Sequence, residues 1–175
     1  MTSAAGASVH ASAVLVENRA VLIRGPSGAG KSRLAFDLLL AGRAGQIPAT
    51  VLIGDDRVHL LPRKGQLVVR PVRELAGLIE IRGLGIRRCG YAAEAIVGMV
   101  VDLSADDAER LPAPETLLTE ISGIKLPRIP VGSSFAPLPL VLAALTMAAS
   151  SYSSEGLADC SKGIGNHISP TIATD

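Results

Sequence analysis

Gly25-Pro26-Ser27-Gly28-Ala29-Gly30-Lys31-Ser32 decides the fold. The stretch fits G-x-x-x-x-G-K-[ST] at every fixed position, and its surroundings fit as well. Upstream, Ala20 to Arg24 is apolar and partly β-branched, and reads as a strand ending at Gly25. Downstream, Leu34, Ala35, Leu38 and Leu39 recur at helical spacing until Gly42 supplies a stop. Strand, glycine loop and helix together make a phosphate loop. Its glycines let backbone N–H groups curl around phosphate oxygens, the helix N-terminus adds positive potential, Lys31 reaches the β- and γ-phosphates and Ser32 offers a hydroxyl to Mg²⁺. A nucleoside triphosphate is the implied ligand, held by all eight residues. A guanine-specific switch would add an N-K-x-D string, which the sequence lacks, so ATP is expected.

Working outward, Val9 to Val16 and Ala20 to Arg24 flank Glu17-Asn18-Arg19 as a hairpin. Ala49 to Ile53 reads as a strand ending in Gly54-Asp55-Asp56, and Val58 to Leu61 with Gln66 to Val69 flank the turn Pro62-Arg63-Lys64-Gly65. Leu78 to Ile81 and Ala95 to Val101 continue the strand pattern. Asp102 to Pro114 is polar and proline-bearing, as a surface loop would be. Strands follow at Leu117 to Ile121 and Ile124 to Ile129, then a second helix at Leu138 to Ala149. The sum is an α/β catalytic domain over residues 1–150, with a Ser/Gly-rich C-terminal extension over 151–175.

Composition narrows the class. Over 175 residues, 48% are hydrophobic and the mean hydropathy is +0.39, which excludes a disordered chain. A net charge of +1 and 2% aromatics supply neither a basic field nor a stacking platform, so no nucleic-acid partner is expected. The longest apolar stretch, Ala136 to Ala149, is interrupted by Pro137, Pro139 and Thr146 and falls short of the ~18 residues of a membrane span. The N-terminus has no Lys or Arg before Arg19 and no sustained apolar h-region, so no secretory signal is expected. Cys89 and Cys160 match no metal or redox spacing. A cytoplasmic protein with reduced thiols is the expectation.

Two acidic features follow the loop. Asp55 and Asp56 stand at a strand end, where one carboxylate can hold Mg²⁺ while the other accepts the proton of an attacking hydroxyl. An Asp-Asp pair alone would equally describe a solvated turn; the upstream loop favours chemistry. Glu80 and Arg82, in Ile79-Glu80-Ile81-Arg82-Gly83-Leu84-Gly85-Ile86, are spaced to share one face of a strand. They read either as a surface ion pair or as a Mg²⁺ ligand beside a phosphate clamp, and the residues alone leave both open.

GPSGAGKS, the Asp pair and IEIRGLGI, in that order, resemble the kinase domain of bacterial HPr kinase/phosphorylase over about residues 8–149. The last string is the distinctive one. The resemblance implies a phosphoenolpyruvate-carboxykinase-like α/β core of mixed β-sheet with flanking helices. It also implies a hexameric enzyme that uses Mg²⁺ and ATP, or pyrophosphate in some members, to phosphorylate the regulatory serine of HPr, the phosphocarrier of the sugar phosphotransferase system. Many members also remove that phosphate by phosphorolysis. Carried over residue by residue, Asp56 is the general base and, in reverse, the acid. Asp55 supports Mg²⁺ and the nucleophile, Ser32 and Glu80 are metal ligands, and Lys31 and Arg82 offset phosphate charge. His10 matches the family's active-site histidine, although Ala11 follows where glycine is common. Arg110 matches the catalytic-loop arginine.

Two departures shape the expectation. The chain begins almost at the kinase domain, as in the short form associated with α-proteobacteria. Where the family reads Pro-Val-Arg-Pro-Gly-Arg-Asn, this chain has Pro130-Val131-Gly132-Ser133-Ser134, with both arginines gone. Inorganic phosphate acting as a nucleophile needs local positive charge. A kinase with impaired or absent phosphorolysis is therefore expected. A small-molecule kinase and a nucleotide-gated protein that binds HPr or a sensor without chemistry remain as alternatives.

Overall fold

The computed structural model describes residues 7–148. Along the chain run β1 (Ser8–His10), β2 (Ser12–Val16), β3 (Arg19–Arg24), α1 (Lys31–Arg43), β4 (Thr50–Gly54), β5 (Arg57–Arg63) and β6 (Gln66–Pro71). Then come β7 (Leu78–Ile81), β8 (Gly85–Arg88), β9 (Ala95–Leu103), β10 (Leu118–Ile121), β11 (Ile124–Val131) and α2 (Pro137–Thr146).

Period-two alternation sorts β2 and β3 into two apolar faces. Val14, Val16, Val21 and Ile23 point to a core formed with Leu34, Ala35 and Leu38 of α1 and Val141 of α2. Ala13, Ala20 and Leu22 point the other way, to Ile53, Val58, Leu67, Val69, Val100 and Leu126. Strands buried on both faces need apolar residues at nearly every position, which is why this stretch reads as an unbroken run.

One nine-stranded sheet follows the order β1-β5-β6-β9-β3-β2-β4, with β11 also on β9 and β10 on β11. The sheet is mixed: β3 and β11 each run parallel to β9, and the remaining pairs are antiparallel. β7 and β8 form a separate two-stranded ribbon. The phosphate loop leaves the C-terminal end of β3 beside the C-terminal end of its parallel neighbour β9, the usual place for a ligand in parallel α/β sheets.

This α/β architecture is the one expected, with local differences. The expected strand Val9–Val16 breaks at Ala11, whose N–H donates to the Asp56 carbonyl at 3.2 Å, so that β1 pairs with β5 while β2 pairs with β3 and β4. Asp102 and Leu103 extend β9 and do not open a loop, because β11 pairs with both and β3 pairs with Asp102 on the other side. Leu117 closes a 3-10 turn that starts at Pro114. The Gly83–Gly85 turn leads into a strand, β8, that the sequence reading left out. The second helix starts at Pro137, which suits a first-turn position, and ends at Thr146. Met147 turns extended and Ala148 is not helical, so the helix stops short of its expected end, while Ala149 and the extension at 151–175 lie outside the described residues. No described helix is long and apolar enough to cross a membrane.

Candidate active site

Local backbone rules place each side chain of the site. Gly30, at φ +97°, caps α1 without a side-chain hydrogen bond, which leaves the first-turn N–H groups of the helix for a ligand. Lys31 follows and is 6% exposed. Its Nζ donates to the carbonyls of Gly25 and Pro26, both at 2.9 Å, so the ammonium closes the loop on itself. Burial lowers the Lys31 pKa, against the opposing pull of Asp56 and Asp55.

The β4–β5 turn delivers the two aspartates in opposite directions. Asp56 sits at φ +65°, a left-handed conformation that aspartate tolerates better than most residues. Its Oδ1 lies 3.3 Å from His10 Nε2, with the two side chains 65% and 41% exposed. Asp55 turns inward and is 3% exposed. Ser12 Oγ donates to Asp55 Oδ1 at 2.6 Å, and the Glu80 N–H donates to Asp55 Oδ2 at 3.1 Å.

A cavity of about 580 Å³ gathers His10, Ser27, Gly28, Gly30, Lys31, Ser32, Asp56, Glu80 and Arg82, with Arg33, Phe36 and Ile81. Most of the expected site residues thus meet in one place. Arg82 stands just past the end of β7, beside Glu80 on the cavity wall, and the two form no ion pair. Gly25, Pro26 and Ala29 of the loop are not part of the lining, and neither are Asp55 and Arg110. Asp55, anticipated beside Mg²⁺, is one layer behind the wall. Arg110, anticipated as catalytic, is exposed on the segment after β9 and is not part of the lining. The sequence reading passed over Arg33, Phe36 and Ser12. Arg33 and Phe36 follow the motif on α1, and Phe36 also packs on the core beneath. Ser12 had a signal: it is the one hydroxyl in the apolar run from Ala11 to Val16.

The side chains on the cavity wall that carry oxygen are those of Ser27, Ser32, Asp56 and Glu80. Among the described residues, no group of three or more His, Cys, Asp or Glu could hold a metal ion. Hydroxyl and carboxylate oxygens are the hard donors that suit Mg²⁺, an ion commonly held by one or two such groups together with phosphate and water oxygens.

Residues 2–134 match the family model of the HPr serine kinase C-terminal domain, a span that contains every residue of the cavity. The chain belongs to that family. The HPr kinase/phosphorylase of Mycoplasma mycoides is 35% identical over 118 residues, which cover 60% of this chain and 36% of that protein. The HPr kinase/phosphorylase of Enterococcus faecalis is 37% identical over 138 residues, 71% of this chain and 42% of that protein. This member of the HPr serine kinase C-terminal domain family thus spans about two fifths of the length of those relatives. The solved structure of the Hpr(Ser) kinase/phosphatase from Coxiella burnetii superposes with a TM-score of 0.62 at 24% identity, covering 79% of this chain and 87% of that one. That likeness extends the family assignment to the fold.

Proposed function

We propose that the chain is an ATP-dependent kinase that phosphorylates the regulatory serine of HPr. The observation that carries this reading is the meeting of the phosphate loop, the His10–Asp56 pair and Glu80 around one cavity. Loop amides and first-turn N–H groups hold and orient the phosphates, while Lys31 and Arg82 offset the charge that develops during transfer. Asp56 accepts the serine proton, and His10, within reach of its Oδ1, keeps the carboxylate turned toward the cavity. Ser32 and Glu80 would hold a Mg²⁺ ion arriving with ATP, which would supply positive charge against the transferring phosphate. Asp55 supports that arrangement from behind through the Glu80 N–H. Phosphorolysis is impaired or absent in this proposal. No arginine stands at Gly132-Ser133-Ser134, and Arg128 of the preceding strand is engaged by Asp102 and Asp107. The enzyme acts in the cytoplasm as a homo-oligomer, a hexamer by the resemblance.

The test is transfer of labelled γ-phosphate from ATP with Mg²⁺ to HPr, run beside HPr whose regulatory serine is alanine and beside Asp56→Asn. Label is expected on unaltered HPr with the unaltered enzyme, and Asp56→Asn should lower the rate by about 10²–10⁴-fold while ATP still binds. No transfer in any lane, with ATP bound, overturns the kinase reading. Robust phosphate-dependent release of the label from phospho-HPr overturns the phosphorolysis part alone.

A further inference from the structure

Ser12 is fully buried, yet it is polar and opens a strand whose other residues are apolar. Its hydroxyl donates at 2.6 Å to Asp55, a carboxylate that is itself 3% exposed. A buried carboxylate is costly unless donors occupy its oxygens. Here two donors do, one on each oxygen: the Ser12 hydroxyl and the Glu80 N–H.

The elements that meet at Asp55 are the ones that deliver the chemistry. Ser12 begins β2 two residues after His10, Asp55 directly precedes Asp56, and Glu80 lines the cavity itself. The Ala11 N–H bond to the Asp56 carbonyl closes the same cluster from the other side at 3.2 Å. Among the described strands β7 pairs with β8 alone, and the bond from Glu80 to Asp55 joins this ribbon to the β4–β5 turn at the level of the cavity.

We infer that Ser12 is a positioning residue for phosphoryl transfer: through Asp55 it fixes Asp56 and Glu80 relative to each other and to His10. The inference rests on the kinase reading above for its catalytic consequence, but not for the tie itself. Without the hydroxyl, Asp55 keeps a single donor, and it must turn toward water or toward the cavity to recover a second one. Either movement loosens its hold on the Glu80 backbone.

Two measurements on Ser12→Ala and Ser12→Thr test this. Kinetics on HPr should show kcat lowered by about tenfold or more in Ser12→Ala, with KM for ATP within about twofold of the unaltered enzyme, because the phosphate loop lies outside the tie. Ser12→Thr keeps the donor and should recover most of that loss. Amide hydrogen exchange should show Glu80 exchanging about tenfold faster in Ser12→Ala, with the β2–β3 ladder unchanged. Should Ser12→Ala fail to fold, Ser12→Cys, a weaker donor of similar shape, takes its place and should fall between serine and alanine. Unchanged kcat and unchanged Glu80 exchange in a folded Ser12→Ala overturn the inference. Equal impairment of Ser12→Ala and Ser12→Thr overturns it too, since that marks packing and not the donor. If the unaltered enzyme transfers no phosphate to HPr, the kinase reading fails, and the Glu80 exchange still decides whether Ser12 holds the ribbon.

Discussion

Lys31 carries two opposed demands. Burial lowers its pKa, the aspartates pull the other way, and two loop carbonyls accept its protons at 2.9 Å. A cation held in this way costs the fold and serves a ligand that brings negative charge. Lys31→Met should therefore fold with a melting temperature close to or above that of the unaltered chain, while its affinity for ATP falls by about tenfold or more. Thermal melts and titration calorimetry read the two halves separately. A large loss of stability would show instead that the ammonium is chiefly a structural tie of the loop. At this scale the sequence is informative wherever the chemistry is contiguous. The eight loop residues form a motif legible from spacing alone, whereas Ser12 meets Asp55 only across 43 residues of chain. Arg110 shows the converse: the resemblance points to it, and it is exposed and not part of the cavity lining.

Elements turn these residues into a surface, and the glycines of the loop are not equivalent in doing so. Gly25 has φ +149°, and a Cβ there would lie 2.9 Å from the Leu103 carbonyl oxygen, at the end of β9. Gly28 has φ +80°, with nothing within 4 Å of the same added atom. Gly25→Ala should cost about 2–3 kcal/mol and displace the loop from β9, combining strain with a backbone clash. Gly28→Ala should cost about 1–2 kcal/mol from strain alone. Denaturant midpoints of the two variants measure the difference, and equal losses would mean that β9 yields easily. The loop, α1 and most strands were legible because each has a strong local period or motif. β8 was not, since all four of its residues are exposed, and a strand with no buried side leaves no hydrophobic alternation to read.

At the scale of the whole molecule, one charge network joins three neighbouring strands, β3, β9 and β11, beside the phosphate loop. Arg24, directly before Gly25, donates to both oxygens of Asp102 at 2.7 Å, and Arg128 donates to Asp102 at 2.6 Å and to Asp107 at 2.6 and 2.9 Å. Burial opposes ionisation of Asp102, but the bonds from Arg24 and Arg128 outweigh it and hold the carboxyl below its ordinary value. A carboxyl with a lowered native pKa stabilises the fold above the unfolded value of about 3.9, and that contribution is lost as pH falls through the native value. Asp102→Asn should cost about 2–4 kcal/mol at neutral pH, by leaving two arginines short of a partner. Its stability should also fall less steeply below about pH 4 than that of the unaltered chain. Urea melts across that range check both, and parallel acid limbs would remove Asp102 from the account. The sheet order itself was not legible, because β3 and β9 pair across a long stretch of chain for reasons no local pattern contains. That pairing also dictates a sequence of events during folding. β3 gains its parallel neighbour, and Gly25 its contact with Leu103, only once the chain has been made as far as residue 103. The candidate site, though its loop is written early, cannot be completed on a growing polypeptide until nine of the eleven described strands have been made.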